Sequence, residues 1–142
     1  MRQSLQPSRV ANDYAFSHQL RTRFAETDAM GIIHHAAYLP YLEEARVAYL
    51  QELGHPYTDV RAQGRDMAVL EVAVQYRRAL RFDELVNVHL MAGAVTRTTF
   101  QIAYLLTVGG EVRATAVTVH GCVDGDGKAA RLPEWIGSTF GS

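Results

Sequence analysis

An α+β domain, with one long helix packed against an antiparallel sheet of five or more strands, follows from three features of the chain. Only the stretch from Ala37 to Leu53 repeats its apolar residues at three- and four-residue steps over the length of a helix. Five other stretches alternate apolar and polar residues with the period of a strand that buries one face. A Gly109-Gly110 pair between two of them supplies the positive φ angles of a tight hairpin, which makes those two strands antiparallel neighbours. With 142 residues, 48% hydrophobic and 20% charged, the chain has room for one such domain and not for two.

Taken in order, residues 1–13 are mostly polar, carry Pro7 and hold no seven-residue apolar run, so they read as a flexible N-terminal tail rather than a secretory signal or membrane anchor. The domain then spans residues 14–136, with residues 137–142 as a C-terminal tail. Phe16, His18, Leu20, Thr22 and Phe24 alternate with Ser17, Gln19, Arg21 and Arg23, which predicts a first strand over 16–24. In the helix, Tyr38, Tyr41, Leu42, Ala45, Tyr49 and Leu53 form the apolar stripe, and Gly54 and Pro56 end it. Pro40 is tolerated only in a first turn, so the helix starts near Ala36 or Ala37, and residues 28–35 are the loop that leads into its N-terminus. A short helical turn is expected over 57–64. Four more strands follow, over 68–76, 86–92, 100–108 and 111–123, and a sheet of that length with a single helix curls around it.

Fourteen basic against fifteen acidic side chains give a formal charge of −1, which removes the broad basic footprint that binding to nucleic acid or an anionic membrane needs. The single cysteine, Cys122, cannot close an intrachain disulfide, and no Cys/His spacing fits zinc, so a cytoplasmic location is expected. No run approaches the length of a transmembrane helix. The Asp124-Gly-Asp-Gly127 step looks calcium-like but lacks the later ligands of an EF-hand loop, and reads as a tight turn.

Residues 23–38 carry the chemistry. A carboxylate, Asp28, and a glycine, Gly31, stand just ahead of a helix N-terminus, whose unpaired N–H groups and partial positive charge suit a developing oxyanion. Asp28 could attack an electrophile, activate water, or simply cap a turn. The run Thr27-Asp28, Gly31, Ile33, His35 and Tyr38, continued by residues 41–46 and 52–57, resembles the hotdog-fold acyl-CoA thioesterases of the 4-hydroxybenzoyl-CoA thioesterase branch. A second block over 74–85 is similar to that family's second-strand exit, with Ala79 where a proline usually stands.

The resemblance implies a hotdog fold, a long central helix wrapped by the sheet, and hydrolysis of an acyl-CoA to the free acid and CoA without metal or other cofactor. It implies that Asp28 is the catalytic carboxylate, as nucleophile or general base, that the backbone N–H of His35 polarises the thioester carbonyl, and that Gly31 shapes the turn. It also implies a homodimer, and beyond it a tetramer, with each site at the subunit seam. Tyr38 and Tyr41 are candidates for shaping the acyl tunnel. Arg77, Arg78 and Arg81 could grip CoA phosphates or form a solvated face. His34 and His35, adjacent in an extended segment, should point apart and make a poor chelating pair. Glu43 and Glu44 could replace Asp28 as the base, although Glu43 has the spacing of a helix ion pair with Arg46. His18, His89 and His120 read as packed or surface residues. A non-catalytic acyl-CoA-binding module and a hotdog dehydratase acting on acyl thioesters are the competing readings.

Overall fold

The three- and four-residue spacing becomes helix α1, Tyr38–Glu52, entered through a 3-10 turn at His35–Ala37. Pro40 lies in its first turn, where a missing N–H breaks no intrahelical bond. These elements come from a computed structural model that describes residues 3–141. Met1, Arg2 and Ser142, the extremities of the two expected tails, lie outside the described residues. The remaining elements are β1 Phe16–Arg21, α2 Tyr57–Ala62, β2 Asp66–Tyr76, β3 Leu85–Gly93, β4 Thr99–Val108, β5 Glu111–Val123, β6 Ala129–Ala130 and α3 Glu134–Phe140.

All strands pair antiparallel in one sheet of order β1-β3-β4-β5-β2, with the two-residue β6 beside the end of β5. Gly109 and Gly110 both take positive φ, 55° and 83°, and close the β4–β5 hairpin as their pairing predicts. The register Phe100↔His120, Ile102↔Thr118, Tyr104↔Ala116 and Leu106↔Ala114 defines one face of this hairpin. That face joins Tyr38, Tyr41, Leu42, Ala45 and Tyr49 of α1 in a continuous apolar core, the hotdog arrangement that the helix-entry motif implies.

Three expectations need correction. The first strand stops at Arg21 instead of Phe24, because Thr22 turns the chain. Its N–H donates to the Glu84 carbonyl and its hydroxyl to the Arg81 carbonyl. Phe24 opens a 3-10 turn and is 74% exposed, edge-on to Phe82. Residues 3–13 are not a loose tail: the Ser4 and Leu5 N–H groups donate to Gln101 Oε1, and Leu5 lies against Gly93. Gln101 alternates with the core-facing residues of β4, so this segment runs over the face of the sheet that α1 leaves open. The expected boundary at Ile136 falls inside α3, whose Ile136 and Phe140 complete the core beside Tyr49 and Phe100. Short polar-rich termini carry no periodic signal, so their docking depends on the sheet face they meet.

Candidate active site

The loop after β1 is held by backbone bonds before any side chain matters. Ile33 N–H donates to the Leu80 carbonyl and His34 N–H to the Glu26 carbonyl, both at 2.8 Å, while Ile32 bridges to Arg81. Within it, Asp28 makes an Asx-type turn: Oδ1 accepts from Met30 N at 2.8 Å and from Ile32 N at 3.3 Å. Gly31 takes φ of 80°, the left-handed conformation that lets its N–H reach back to the Asp28 carbonyl. The turn-forming role of Asp28 is therefore real, and it occupies one carboxylate oxygen. Among the described residues the other, Oδ2, has no hydrogen-bond partner. Two donors on Oδ1 fix the plane of the carboxylate and leave Oδ2 available.

The next turn supplies the donor. His34 caps the His35–Ala37 turn, its Nδ1 accepting from Ala36 N at 3.1 Å. Ala37 N–H returns to the His34 carbonyl, while the His35 N–H makes no hydrogen bond among the described residues. An unbonded N–H at the first position of a helical turn is an oxyanion-type donor. Tyr76 Oη donates to the His35 carbonyl at 3.0 Å and so fixes the peptide that follows this donor. The imidazoles of His34 and His35 do not point apart as an extended segment would require. The 3-10 turn stacks them at 4.3 Å. Among the described residues no group of three His, Cys, Asp or Glu side chains is placed to hold a metal ion.

Asp28, His35, Tyr38, Tyr76, Arg77 and Arg78 line one cleft of about 260 Å³. Tyr76 was not singled out by sequence reasoning. It stands edge-on to Tyr38, ring centroids 4.8 Å apart, and is 49% exposed. Its only sequence signal is that it ends the alternating run of the second strand on a large aromatic. Tyr38 is anchored from behind, its hydroxyl accepting from Leu80 N. Burial raises the Tyr38 phenol above its ordinary value, so it is a neutral wall at any physiological pH.

The other expected site residues are elsewhere. Tyr41 points away from the cleft and donates its hydroxyl to Glu26 Oε1 at 2.5 Å. Burial, reinforced by that carboxylate, raises the Tyr41 phenol strongly. Burial opposes ionisation of Glu26, yet the bonds from Tyr41 and Arg23 hold its carboxyl below the ordinary value. Arg77 reaches Gln75 Oε1 at 2.7 Å and Arg78 reaches Glu111 at 3.4 Å, both from exposed positions at the cleft. Arg81 does not line the cleft; its backbone N–H donates to Glu84 Oε1 and its carbonyl accepts from Thr22. Glu44 pairs with His18 at 2.6 Å, and Glu43 lies 4.0 Å from Arg46 in the expected helix spacing.

Comparison with known proteins places this geometry in context. A model described as the thioesterase-like superfamily matches residues 22–140. The chain is 29% identical over 130 residues to the acyl-CoA thioesterase YbgC of Haemophilus influenzae, covering 90% of this chain and 96% of that protein. A crystal structure from Aquifex aeolicus superposes with a TM-score of 0.82 at 34% identity, over 86% of this chain and 96% of the other. The DHNA-CoA thioesterase of Staphylococcus aureus superposes with a TM-score of 0.79 at 29% identity, over 87% and 82%.

Proposed function

Since the chain belongs to the thioesterase-like superfamily and is a thioester hydrolase, we propose that it hydrolyses an acyl-CoA to the free acid and CoA, with Asp28 as the catalytic carboxylate. What supports this reading is that the free Oδ2 of Asp28 and the unbonded N–H of His35 belong to residues lining the same cleft. A thioester needs little more. The carbonyl oxygen accepts from the His35 N–H, which stabilises the negative charge that develops as the carbon becomes tetrahedral. The Asp28 carboxylate either attacks that carbon, expelling the CoA thiolate to leave an acyl anhydride that water then hydrolyses to the free acid and Asp28, or takes a proton from the attacking water as the thiolate departs. Gly31 keeps the carboxylate and the donor in one short loop. Arg77 and Arg78 supply cations for the CoA phosphates.

The exposed edge of β2 supports the further reading of a homodimer. This strand is eleven residues long, ends the sheet, and carries Val69, Val72 and Tyr76 exposed. A long apolar edge pairs with another strand in preference to water.

Thiol release is the direct test. Purified protein offered a panel of acyl-CoA thioesters should liberate CoA, and Asp28→Asn should lower kcat about a thousandfold or more with an unchanged circular dichroism spectrum. A variant as active as the native chain, or no thiol release from any thioester, overturns the reading. Appearance of an enoyl product without free CoA would favour the dehydratase alternative.

A further inference from the structure

A second cleft, of about 370 Å³, opens on the same side of the molecule between α1 and β2 and is lined by Leu39, Glu43, Arg46, Val69, Val72 and Thr118 among others. Both clefts lie along the same two elements. Tyr38 and Tyr76 line the Asp28 cleft, and Leu39 on α1 and Val72 on β2 line the second. From Tyr38 to Arg46 the helix advances about 12 Å, and from Tyr76 back to Val72 the strand covers about 13 Å. The two clefts thus follow one another along the seam between α1 and β2, with Asp28 and His35 lining one and Arg46 the other.

Arg46 is an unusual wall for an otherwise apolar space. Its side chain is 7% exposed, yet its hydrogen-bond partners are the neutral hydroxyls of Tyr57 at 3.1 Å and Tyr104 at 3.2 Å. Tyr104 passes the contact on to Thr118, and Thr118 to Nε2 of the fully buried His120, each at 2.7 Å. An imidazole, neutral or cationic, never balances a cation; burial, with the nearby Arg46 cation, pushes the His120 pKa down to about 3, so it adds no second charge. Among the described residues the only ionic neighbour of Arg46 is Glu43, 70% exposed and 4.0 Å away, beyond hydrogen-bond reach of Nη2. A buried guanidinium is ordinarily matched by an anion at bonding distance. Here the face of the cation that lacks such an anion looks into an open cleft.

We infer that Arg46 receives an anionic oxygen at the far end of the acyl group, so that the preferred substrates are CoA monothioesters of dicarboxylic acids. The inference rests on the thioesterase reading above. A terminal carboxylate would complete the guanidinium with a charge-assisted bond, while the methylene stem lies along Leu39 and Val72. A methyl-ended chain of equal length would leave Nη2 desolvated and without an acceptor, which is the strongest form of discrimination available to a small pocket.

The test compares kcat/KM for two acyl-CoAs of matched chain length, one ending in carboxylate and one in methyl, on the full chain and on two variants. The native protein should favour the carboxylate by on the order of tenfold or more. In Arg46→Met the ratio should collapse to about one or invert, whereas Glu43→Gln, which removes a competing carboxylate, should raise it several-fold. A native ratio near or below one overturns the inference, as does a ratio that neither variant moves. Loss of Arg46 could prevent folding, since Tyr57 and Tyr104 lose their partner; the native ratio and the exposed Glu43→Gln variant then decide. Hydrolysis of both substrates without preference defeats this inference alone, whereas no thiol release from either, or from any other acyl-CoA, defeats the thioesterase reading itself.

Discussion

His35 separates what a side chain does from what a backbone does. Its proposed role belongs to the main-chain N–H, so His35→Phe should keep kcat within about tenfold. His35→Pro removes that donor together with the imidazole, so it is compared with His35→Phe, which removes the imidazole alone. Proline suits the first position of a helical turn, and His34, with φ −58° and ψ 137°, already has the extended conformation that a following proline demands. The proline variant should therefore fold and lose kcat by on the order of a hundredfold or more. A severe loss in His35→Phe would assign the chemistry to the imidazole, whereas retained activity in His35→Pro would exclude both the N–H and the ring. At the rim, Arg77→Ala with Arg78→Ala should raise KM for CoA esters and leave a pantetheine thioester, which lacks the nucleotide, nearly unchanged. Arg81→Ala should change KM for neither substrate, because Arg81 does not line the cleft and holds its turn through backbone groups. Equal KM changes on both substrates would make the two rim arginines structural.

The loop that carries Asp28 is only as firm as the β2–β3 connection beneath it. Arg113 of β5 holds that connection. Its guanidinium spans Glu84 with bonds of 2.8 and 2.9 Å and donates to the Ala79 carbonyl at 2.8 Å. Glu84 in turn accepts from Arg81 N and donates its own N–H to Thr22 Oγ1. Leu80 and Arg81, fixed in this way, are the residues that pair with Ile33 and Ile32 of the loop that carries Asp28. The Arg113 bond holds the Glu84 carboxyl below its ordinary value. A depressed carboxyl stabilises the fold above the pKa of the unfolded chain, near 4.3, and that stability is lost as pH falls through the folded value. Thermal unfolding of the native chain should therefore weaken progressively below about pH 4, and Glu84→Gln should flatten that part of the curve. The same variant should lower stability at neutral pH by roughly 2 kcal/mol, since it leaves a mostly buried guanidinium half-partnered. An unchanged acid limb in Glu84→Gln would transfer the effect to other carboxylates.

For the whole molecule, the proposed homodimer is tested at the exposed edge of β2. Light scattering should give at least a dimer, and Val72→Lys, a charge on the exposed apolar edge, should shift it toward monomer. If each site lies at the subunit seam, activity should fall with the dimer as the protein is diluted. A stable monomer with full activity would sink the shared site. Residues 3–9 cover part of the sheet face opposite α1, so any assembly that used this face would have to accommodate or displace them. Among the described residues no helix is long and apolar enough to cross a membrane.

Elements whose formation is governed by nearest neighbours were legible in order along the chain. Pro40 and Gly54 bracket α1, the Gly-Gly pair closes the β4–β5 hairpin, and four alternating runs become β2 to β5 within two residues of their expected ends. The turn that joins Asp28 and Gly31 ahead of His35 was legible too, because its geometry is local. Phe24 was misread because alternation continues in the letters after Thr22 has already turned the backbone toward Glu84, a partner sixty-two residues away. Tyr41 and Tyr38 carry the same periodic signal, yet one faces Glu26 in the interior and the other the cleft, since the path of the loop before α1 sets which tyrosine it meets. Arg46 shows the limit most clearly. Its i,i+3 spacing to Glu43 predicts a surface ion pair, and the pair exists, but burial against Tyr57 and Tyr104 turns a solvated cation into a desolvated one that looks into a cavity. Periodicity and turn chemistry reside in adjacent residues, whereas the environment of a charge is made by chain segments distant in sequence, and only the folded packing brings those together.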